Sequence, residues 1–405
     1  MIGKEQYIYF QDRFMERLDK TREVSDEELA AQIDCFVVEQ GREHCLDLGN
    51  KEKLRKYLLN SLRGLDVLQD LLEDENITEI MVNGPEHIFV ERGGKVERWP
   101  AAFTSGEKLE NVIQQIVAGC NRVVNEASPI VDARLSDGSR VNIVMNPVAL
   151  NGPIVTIRRF PEKPVTMEQL LRWSSISQEA AEFLKRLVKA GYNIFISGGT
   201  GSGKTTLLNV LSQYIPREER VITIEDNAEL QLQGLSNLVR LETRNSNVEG
   251  CREITIRELI RTSLRMRPDR IIVGEVRGAE AIDMLQCMNS GHDGSMSTGH
   301  ANSGRDMLSR LENMVLMGME IPLMAIRQQV ASAIDVIVHL GRLRDKSRRV
   351  LEITEVLECR DNEIILNPLF VFEEAGEDDE GHIIGKLQKK SELLREDKLK
   401  AAGLL

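Results

Sequence analysis

The chain has 405 residues, with 52 Lys and Arg against 64 Asp and Glu for a formal net charge of −12, and it is 41% hydrophobic and 29% charged. That length holds two or three domains and a sizeable core, while the acidic balance disfavours extended contact with nucleic acid phosphates, a local basic patch aside. No apolar run approaches the roughly 18 residues of a membrane span, and charges occupy residues 1–20 where a secretory leader needs an apolar stretch. Six cysteines without a C-x-x-C pattern predict free thiols in a reducing cytoplasm.

Residues 1–63 predict a helical segment. Ser25-Asp26-Glu27-Glu28 reads as a capping box, and Leu54, Leu58 and Leu62 share one helix face. Either a small docking bundle or simple packing accounts for it. Residues 65–160 change character. Ile80–Val82, Ile88–Val90 and Lys95–Trp99 read as short strands between Asn83-Gly84-Pro85 and Gly93-Gly94 turns, and a helix follows over 109–118. Then come strands at 131–135, 140–145 and 154–158, giving a mixed α/β domain with an antiparallel sheet. Pro161 and Pro164 close it and predict a hinge linker over 161–169.

From 170 to 372 strand and helix alternate, as in a mostly parallel sheet. Strands are expected at 193–197, 221–225, 239–242, 270–273 and 294–298, with an antiparallel meander over 336–340, 350–359 and 363–365. The acidic run 373–380 reads as a solvated loop, followed by a charged tail expected to be helical from Ser391. Eight of the 14 methionines fall between Met284 and Met324, as core filler or as an adaptable subunit interface.

The chemistry centres on Gly198-Gly199-Thr200-Gly201-Ser202-Gly203-Lys204-Thr205-Thr206, which fits G-x-x-x-x-G-K-[ST] between the apolar run Ile194–Ile196 and a helical stretch from Leu207. Glycines let backbone N–H groups curl around phosphates at the positive end of the new helix. Lys204 would reach the β- and γ-phosphates of ATP, and the Thr205 hydroxyl would hold Mg²⁺.

Two further strands end in acids. Arg270-Ile271-Ile272-Val273-Gly274-Glu275 has the form of a Walker B element, with a glutamate suited to meeting Mg²⁺ through a water. Ile222-Thr223-Ile224-Glu225-Asp226 is the second. Parallel strand ends gather at one edge, so Glu225 and Glu275 should both face the γ-phosphate, one acting on the attacking water and one on the metal. The bland alternative is that each acid caps the following helix. The segment 291–300 holds His292 and His300. It has no Cys ligand or H-x-x-x-H spacing for zinc, and the pair is read as sensing the γ-phosphate rather than as satisfied core residues. Arginines that could stabilise the transferring phosphoryl are Arg158 and Arg159 before the hinge and Arg267, Arg277 and Arg310 beyond it, against the plain alternative of surface ion pairs.

The glycine loop, Thr223–Asp226, Gly274–Arg277 and the two-histidine segment, in that order, resemble the secretion-system ATPases of the type II/type IV superfamily. The stretches 132–142 and 152–160 resemble its CpaF-type branch, which serves assembly of Flp (tight-adherence) pili. The resemblance covers roughly 65–372. It implies an α/β fold: a RecA-like P-loop domain with a mostly parallel sheet, preceded by a smaller PAS-like mixed α/β domain and the helical segment. It also implies a cytoplasmic ATPase using ATP and Mg²⁺, assembled as a ring hexamer and working on inner-membrane platform proteins. Glu225 would be the catalytic glutamate, Glu275 the Walker B acid, His292 and His300 the histidine box, and Arg158 and Arg159 the arginines that close on nucleotide. A DNA- or effector-transfer motor and a nucleotide-gated scaffold without hydrolysis remain alternatives.

Overall fold

The computed structural model describes residues 4–18, 24–120, 122–135, 137–159, 164–244 and 252–405. The chain divides into two compact units, Met1–Glu162 and Lys163–Leu405.

The first unit opens with helices α1 (Lys4–Arg17), α2 (Asp26–Glu43) and α3 (Leu48–Leu62). Helix α2 starts where the sequence predicts: Ser25 Oγ accepts from the Glu28 amide at 3.2 Å, and Asp26, Glu27 and Glu28 sit at its positive end. Phe10, Phe14, Ile33, Phe36, Leu54 and Leu58 form a core of their own. After the short α4 (Val67–Glu73) come β1 (Ile77–Asn83), β2 (Ile88–Arg92), β3 (Lys95–Arg98), α5 (Gly106–Gly119), β4 (Ile130–Arg134), β5 (Arg140–Val144) and β6 (Ile154–Arg158). These strands form an antiparallel sheet in the order β3-β2-β1-β6-β5-β4. Its alternating Ile80, Val82, Val141, Ile143, Val155 and Ile157 bury one face against the apolar side of α5.

The second unit begins inside the stretch expected to be a hinge. Thr166 and Gln169 form a reciprocal capping box for α6 (Met167–Arg172), whose Met167 and Leu170 are buried. Pro161 and the neighbouring 160–163 lie outside the described residues. There follow α7 (Gln178–Lys189), β7 (Ile194–Gly198), α8 (Lys204–Ser212), β8 (Arg220–Glu225), β9 (Asn237–Glu242), α9 (Ile256–Ser263), β10 (Arg270–Val273), α10 (Glu280–Met288), β11 (Met296–His300), α11 (Gly304–Gly318), α12 (Leu323–Ala333), β12 (Val336–Arg342), β13 (Arg348–Arg360), β14 (Glu363–Glu377), β15 (Ile383–Lys389) and α13 (Asp397–Ala401).

Nine strands form one sheet in the order β15-β14-β13-β12-β7-β11-β10-β8-β9. The six from β12 to β9 are parallel, and β13 to β15 continue it antiparallel. Both faces are covered, so the central strands read as continuous apolar runs. Along β7, Ile194 and Ile196 join the core containing Leu184 and Leu208, while Phe195 joins the opposite one with Ile282 and Met307. Of the clustered methionines, Met284, Met288, Met296, Met307 and Met314 are core, and Met317, Met319 and Met324 are exposed.

Two expectations for the C-terminal stretch fail. The acidic run at 373–380 is not a free loop: β14 runs through Glu377 and pairs with β15. Its carboxylates face solvent and meet cations, Glu374 and Glu377 binding Arg344, and Glu373 binding Lys390. Helix does not begin at Ser391 but at Asp397, and Leu393 and Leu399 pack into the core of this unit.

Candidate functional site

Helix α8 starts at Lys204 because the loop before it can turn only with glycine. Gly201 has φ +69° and Gly203 φ +97°, the left-handed region that a side chain disfavours. At Gly198 a Cβ would meet the Leu340 carbonyl oxygen at 2.5 Å and Ser202 Oγ at 2.6 Å, so the loop passes too close to β12 for any side chain. The outcome is a loop of amides wrapped over the first turn of a helix, an arrangement that attracts phosphate.

Lys204 is nearly buried, and its ammonium donates to the carbonyls of Gly198 at 3.1 Å and Gly199 at 3.0 Å. It also faces His300 Nδ1 at 3.3 Å. An ammonium can only donate, so Nδ1 is the unprotonated nitrogen and Nε2 carries the hydrogen. That Nε2 lies 2.8 Å from Glu275 Oε1, off the line of a well-formed hydrogen bond; the oxygen is otherwise buried without a partner among the described residues. Burial holds the His300 imidazole below its ordinary range, against the pull of Glu275 and with help from Lys204, Arg277 and Arg310. Glu275 Oε2 accepts from Arg277 at 2.7 Å, a bond that raises the guanidinium further, and Arg277 lies 4.0 Å from Asp226. Asp226 is itself pushed up, first by burial. Lys204, His300, Glu275, Arg277 and Asp226 thus form one continuous chain along the carboxyl edge of the sheet. Beside it an open cleft of about 490 Å³ is lined by Gly199, Thr200, His300, Asn302 and Arg310 among others.

Glu225 stands at the same edge, at the end of β8, and is 3% exposed. Its Oε2 accepts from the amides of Glu229 at 2.6 Å and Leu230 at 2.8 Å, while Oε1 is buried with no partner among the described residues. Burial pushes its carboxyl up to about 7 despite those two bonds. Gly274 gives this side chain its room, since a Cβ there would lie 3.0 Å from Glu225 Cγ. The glycine before Glu275 therefore serves the neighbouring strand's acid, a role the sequence alone does not reveal.

Other expected site residues are elsewhere. His292 is at the opposite edge: it precedes β11, and its Nδ1 lies near Ser290 Oγ (3.2 Å) and the Cys287 carbonyl (3.3 Å). Strand β11 rises about 3.3 Å per residue, so the two histidines of one short segment sit at the two ends of a strand. Arg267 likewise precedes β10, in a left-handed turn with φ +56°. In the first unit, Arg159 donates to the carbonyls of Asp74 and Ile77, fixing the entry to β1, whereas Arg158 at the end of β6 is exposed opposite Glu79. Arg310, one of several candidate arginines in the sequence, lines the cleft.

Sequence reasoning missed Arg348, whose Nε donates to the Gly201 carbonyl at 2.9 Å. It also missed His339 on β12, buried and paired with Ser197 Oγ of β7 at 2.9 Å, on the far side of β7 from His300. Only the structural register of β12 beside β7 brings it to Ser197, so the sequence carried no signal for it.

The family model described as type II/IV secretion system protein matches residues 61–377. The type IV secretion system protein PtlH of Bordetella pertussis is 34% identical over 315 residues, 71% of this chain and 93% of that protein. Among solved structures, the VirB11 ATPase of the Brucella suis type IV secretion system is 32% identical, covering 71% of this chain and 92% of that one at a TM-score of 0.40. The pilus retraction motor PilT with bound ADP covers 84% of this chain and 88% of its own, at a TM-score of 0.52 and 16% identity, a likeness of fold. With its P-loop and acid-ended strands in an α/β sheet, this chain belongs to the type II/IV secretion system protein family.

Proposed function

We propose that this chain is a MgATP-hydrolysing motor that drives assembly of a Flp or type IV-like pilus, or related secretion, from the cytoplasmic face of the inner membrane. The observation that carries it is the continuous chain from Lys204 through His300 and Glu275 to Arg277 at the mouth of the phosphate loop. Among the described residues no helix is long and apolar enough to cross a membrane, so membrane contact in this reading goes through platform proteins. Its working form is a ring hexamer.

The residues present fit the nucleotide. The loop has no room for a Cβ at Gly198, and Lys204 holds its charge against two carbonyls that an incoming phosphate would replace. Thr205, in the first turn of α8, and Glu275, through a water, would hold Mg²⁺, which supplies charge neutralisation on the phosphate oxygens. Glu225, with its carboxyl near 7, suits the task of orienting or deprotonating the attacking water. His300 is placed to sense the terminal phosphate: when Lys204 turns to it, Nδ1 loses its partner and the link to Glu275 and Arg277 changes.

A second reading, a motor for DNA or effector transfer, is favoured by the names of PtlH and VirB11, both type IV secretion proteins. The charge of −12 favours the first. Mg²⁺-dependent ATP turnover across a wide range of protein concentration tests the motor: specific activity that climbs with concentration is expected of sites completed by neighbouring subunits. No turnover at any concentration contradicts it. A salt-sensitive gel shift or DNA-stimulated turnover would select the transfer reading.

A further inference from the structure

The phosphate loop has two flanks, and they are chemically different. Strand β11 adjoins β7 on one side and brings His300, with Glu275 on β10 beyond it. On the other side β12 runs parallel to β7, its Leu340 level with Gly198, and turns back as β13. The two ends of that hairpin carry Arg342 and Arg348 as direct cross-strand partners, both exposed.

Arg348 meets the loop itself. Its Nε donates to the Gly201 carbonyl at 2.9 Å, and its Cδ is 3.9 Å from the position a Cβ on Gly203 would take. Its two terminal amino groups have no partner among the described residues. The hairpin that presents it is held in place. Asp345 Oδ1 accepts from the Ser347 amide at 2.9 Å and hydroxyl at 2.6 Å, and Oδ2 accepts from the Ile383 amide of β15 at 2.8 Å. Arg344 of the same turn binds Glu374 and Glu377 of β14. The C-terminal hairpin β14–β15 thus fixes the turn that fixes Arg348.

A phosphate chain laid in this loop has a direction. Its terminal phosphoryl belongs on the flank with the ammonium, imidazole and carboxylate that can act on it, so the nucleoside end leaves past β12 and β13. A guanidinium whose Nε is already spent on the loop keeps a planar pair of N–H donors for an anionic oxygen. We propose that Arg348 is a positioning residue for the nucleoside-proximal phosphate of ATP and ADP, holding the tip of the loop with one nitrogen and the nucleotide with the others. The inference rests on the ATPase reading above and adds to it which end of the nucleotide lies where.

The test compares full-length wild type, Arg348→Ala, Arg348→Lys and Lys204→Ala by titration with fluorescent ATP and ADP analogues, ATP turnover and thermal melting. For Arg348→Ala the affinities for both nucleotides should fall by the same factor, about tenfold, with KM rising in step and kcat within about twofold. Melting should not move, because the side chain is exposed. Arg348→Lys should recover part of the affinity at low salt and lose it at high salt, since it keeps the charge without the fork. Unchanged affinities in Arg348→Ala overturn the inference. So does a loss confined to ATP and kcat, which would place Arg348 at the terminal phosphoryl, and so does a lowered melting point with kcat and affinity falling together, which would make it structural. If Lys204→Ala turns over ATP as the wild type does, the ATPase reading itself fails, whatever Arg348 does.

Discussion

The two edges of the nine-stranded sheet are both rich in buried polar groups, yet they are built to opposite ends. At the carboxyl edge two carboxylate oxygens lie short of partners among the described residues: Glu225 Oε1 is buried with none, and Glu275 Oε1 has only a poorly aimed imidazole. At the amino edge the groups are satisfied. Asp335 accepts from the Asn193 amide at 2.8 Å and from Lys398 at 2.7 Å, and Lys398 also meets Asp293 at 2.7 Å. Glu355, 1% exposed, accepts from the amides of Leu394 and Arg395 and from Asn367. The amino edge is completed by the C-terminal segment, and the carboxyl edge is not. Neither burial nor a missing partner marks a site by itself, since Gln40 Oε1 and Arg92 Nε are also buried without one among the described residues; the two carboxylate oxygens stand out because they lie at the edge that carries the phosphate loop.

The largest expected effect sharpens the contrast at the loop. Lys204→Ala removes the one ammonium buried there, and turnover should drop at least about a hundredfold while the melting temperature holds. Next is Glu225→Gln. As the proposed base, its loss should lower kcat about a hundredfold. Its effect on stability runs the other way and depends on pH. Because the folded carboxyl is raised to about 7, its contribution is fully present below the ordinary carboxylate range and is lost as pH rises through 7. The glutamine variant should therefore melt close to wild type at pH 5 and above it at pH 8, by an amount on the order of 1–3 kcal/mol. A variant that is destabilised at pH 8 would show that the carboxylate is satisfied in the fold and would erase the difference between the edges.

The smallest effect on catalysis is expected at the satisfied edge. Asp335→Ala strands the buried Asn193 amide and leaves Lys398 with Asp293 and the Gly191 carbonyl, so stability should fall by roughly 1–3 kcal/mol with kcat per folded molecule unchanged. Chemical denaturation followed by turnover at matched folded fraction separates the two quantities.

What the sequence makes legible follows the same division. The phosphate loop is readable because backbone geometry forces glycine at Gly201 and Gly203, and the central strands because both their faces are buried. Strands β14 and β15 are not readable in this way. They lie at the exposed antiparallel end of the sheet, so Glu373, Glu374 and Glu377 can project into solvent from a regular strand and give the composition of a loop. The reach of a site is harder still to see. His292 and His300 are eight positions apart in a short glycine-rich segment, and only the placement of β11 between them shows that they face different edges. Gly274 reads as belonging to Glu275 and in fact makes room for Glu225 across the sheet. Arg348 is invisible for a related reason: nothing near it in sequence carries chemistry, and its partner Gly201 lies far back along the chain. Branch assignment within the family also outruns these residues, since the chemistry at the loop is the same whatever the cargo.

The most direct test puts the two histidines side by side. His300→Ala and His292→Ala would be prepared in the full chain, and their Mg²⁺-dependent ATP turnover and melting temperatures measured together. A fall of about tenfold or more in kcat for His300→Ala, with His292→Ala turning over as wild type, is the result predicted if the carboxyl edge alone is the catalytic one. Equal losses in the two variants at unchanged stability, or a loss in His292→Ala alone, would contradict it.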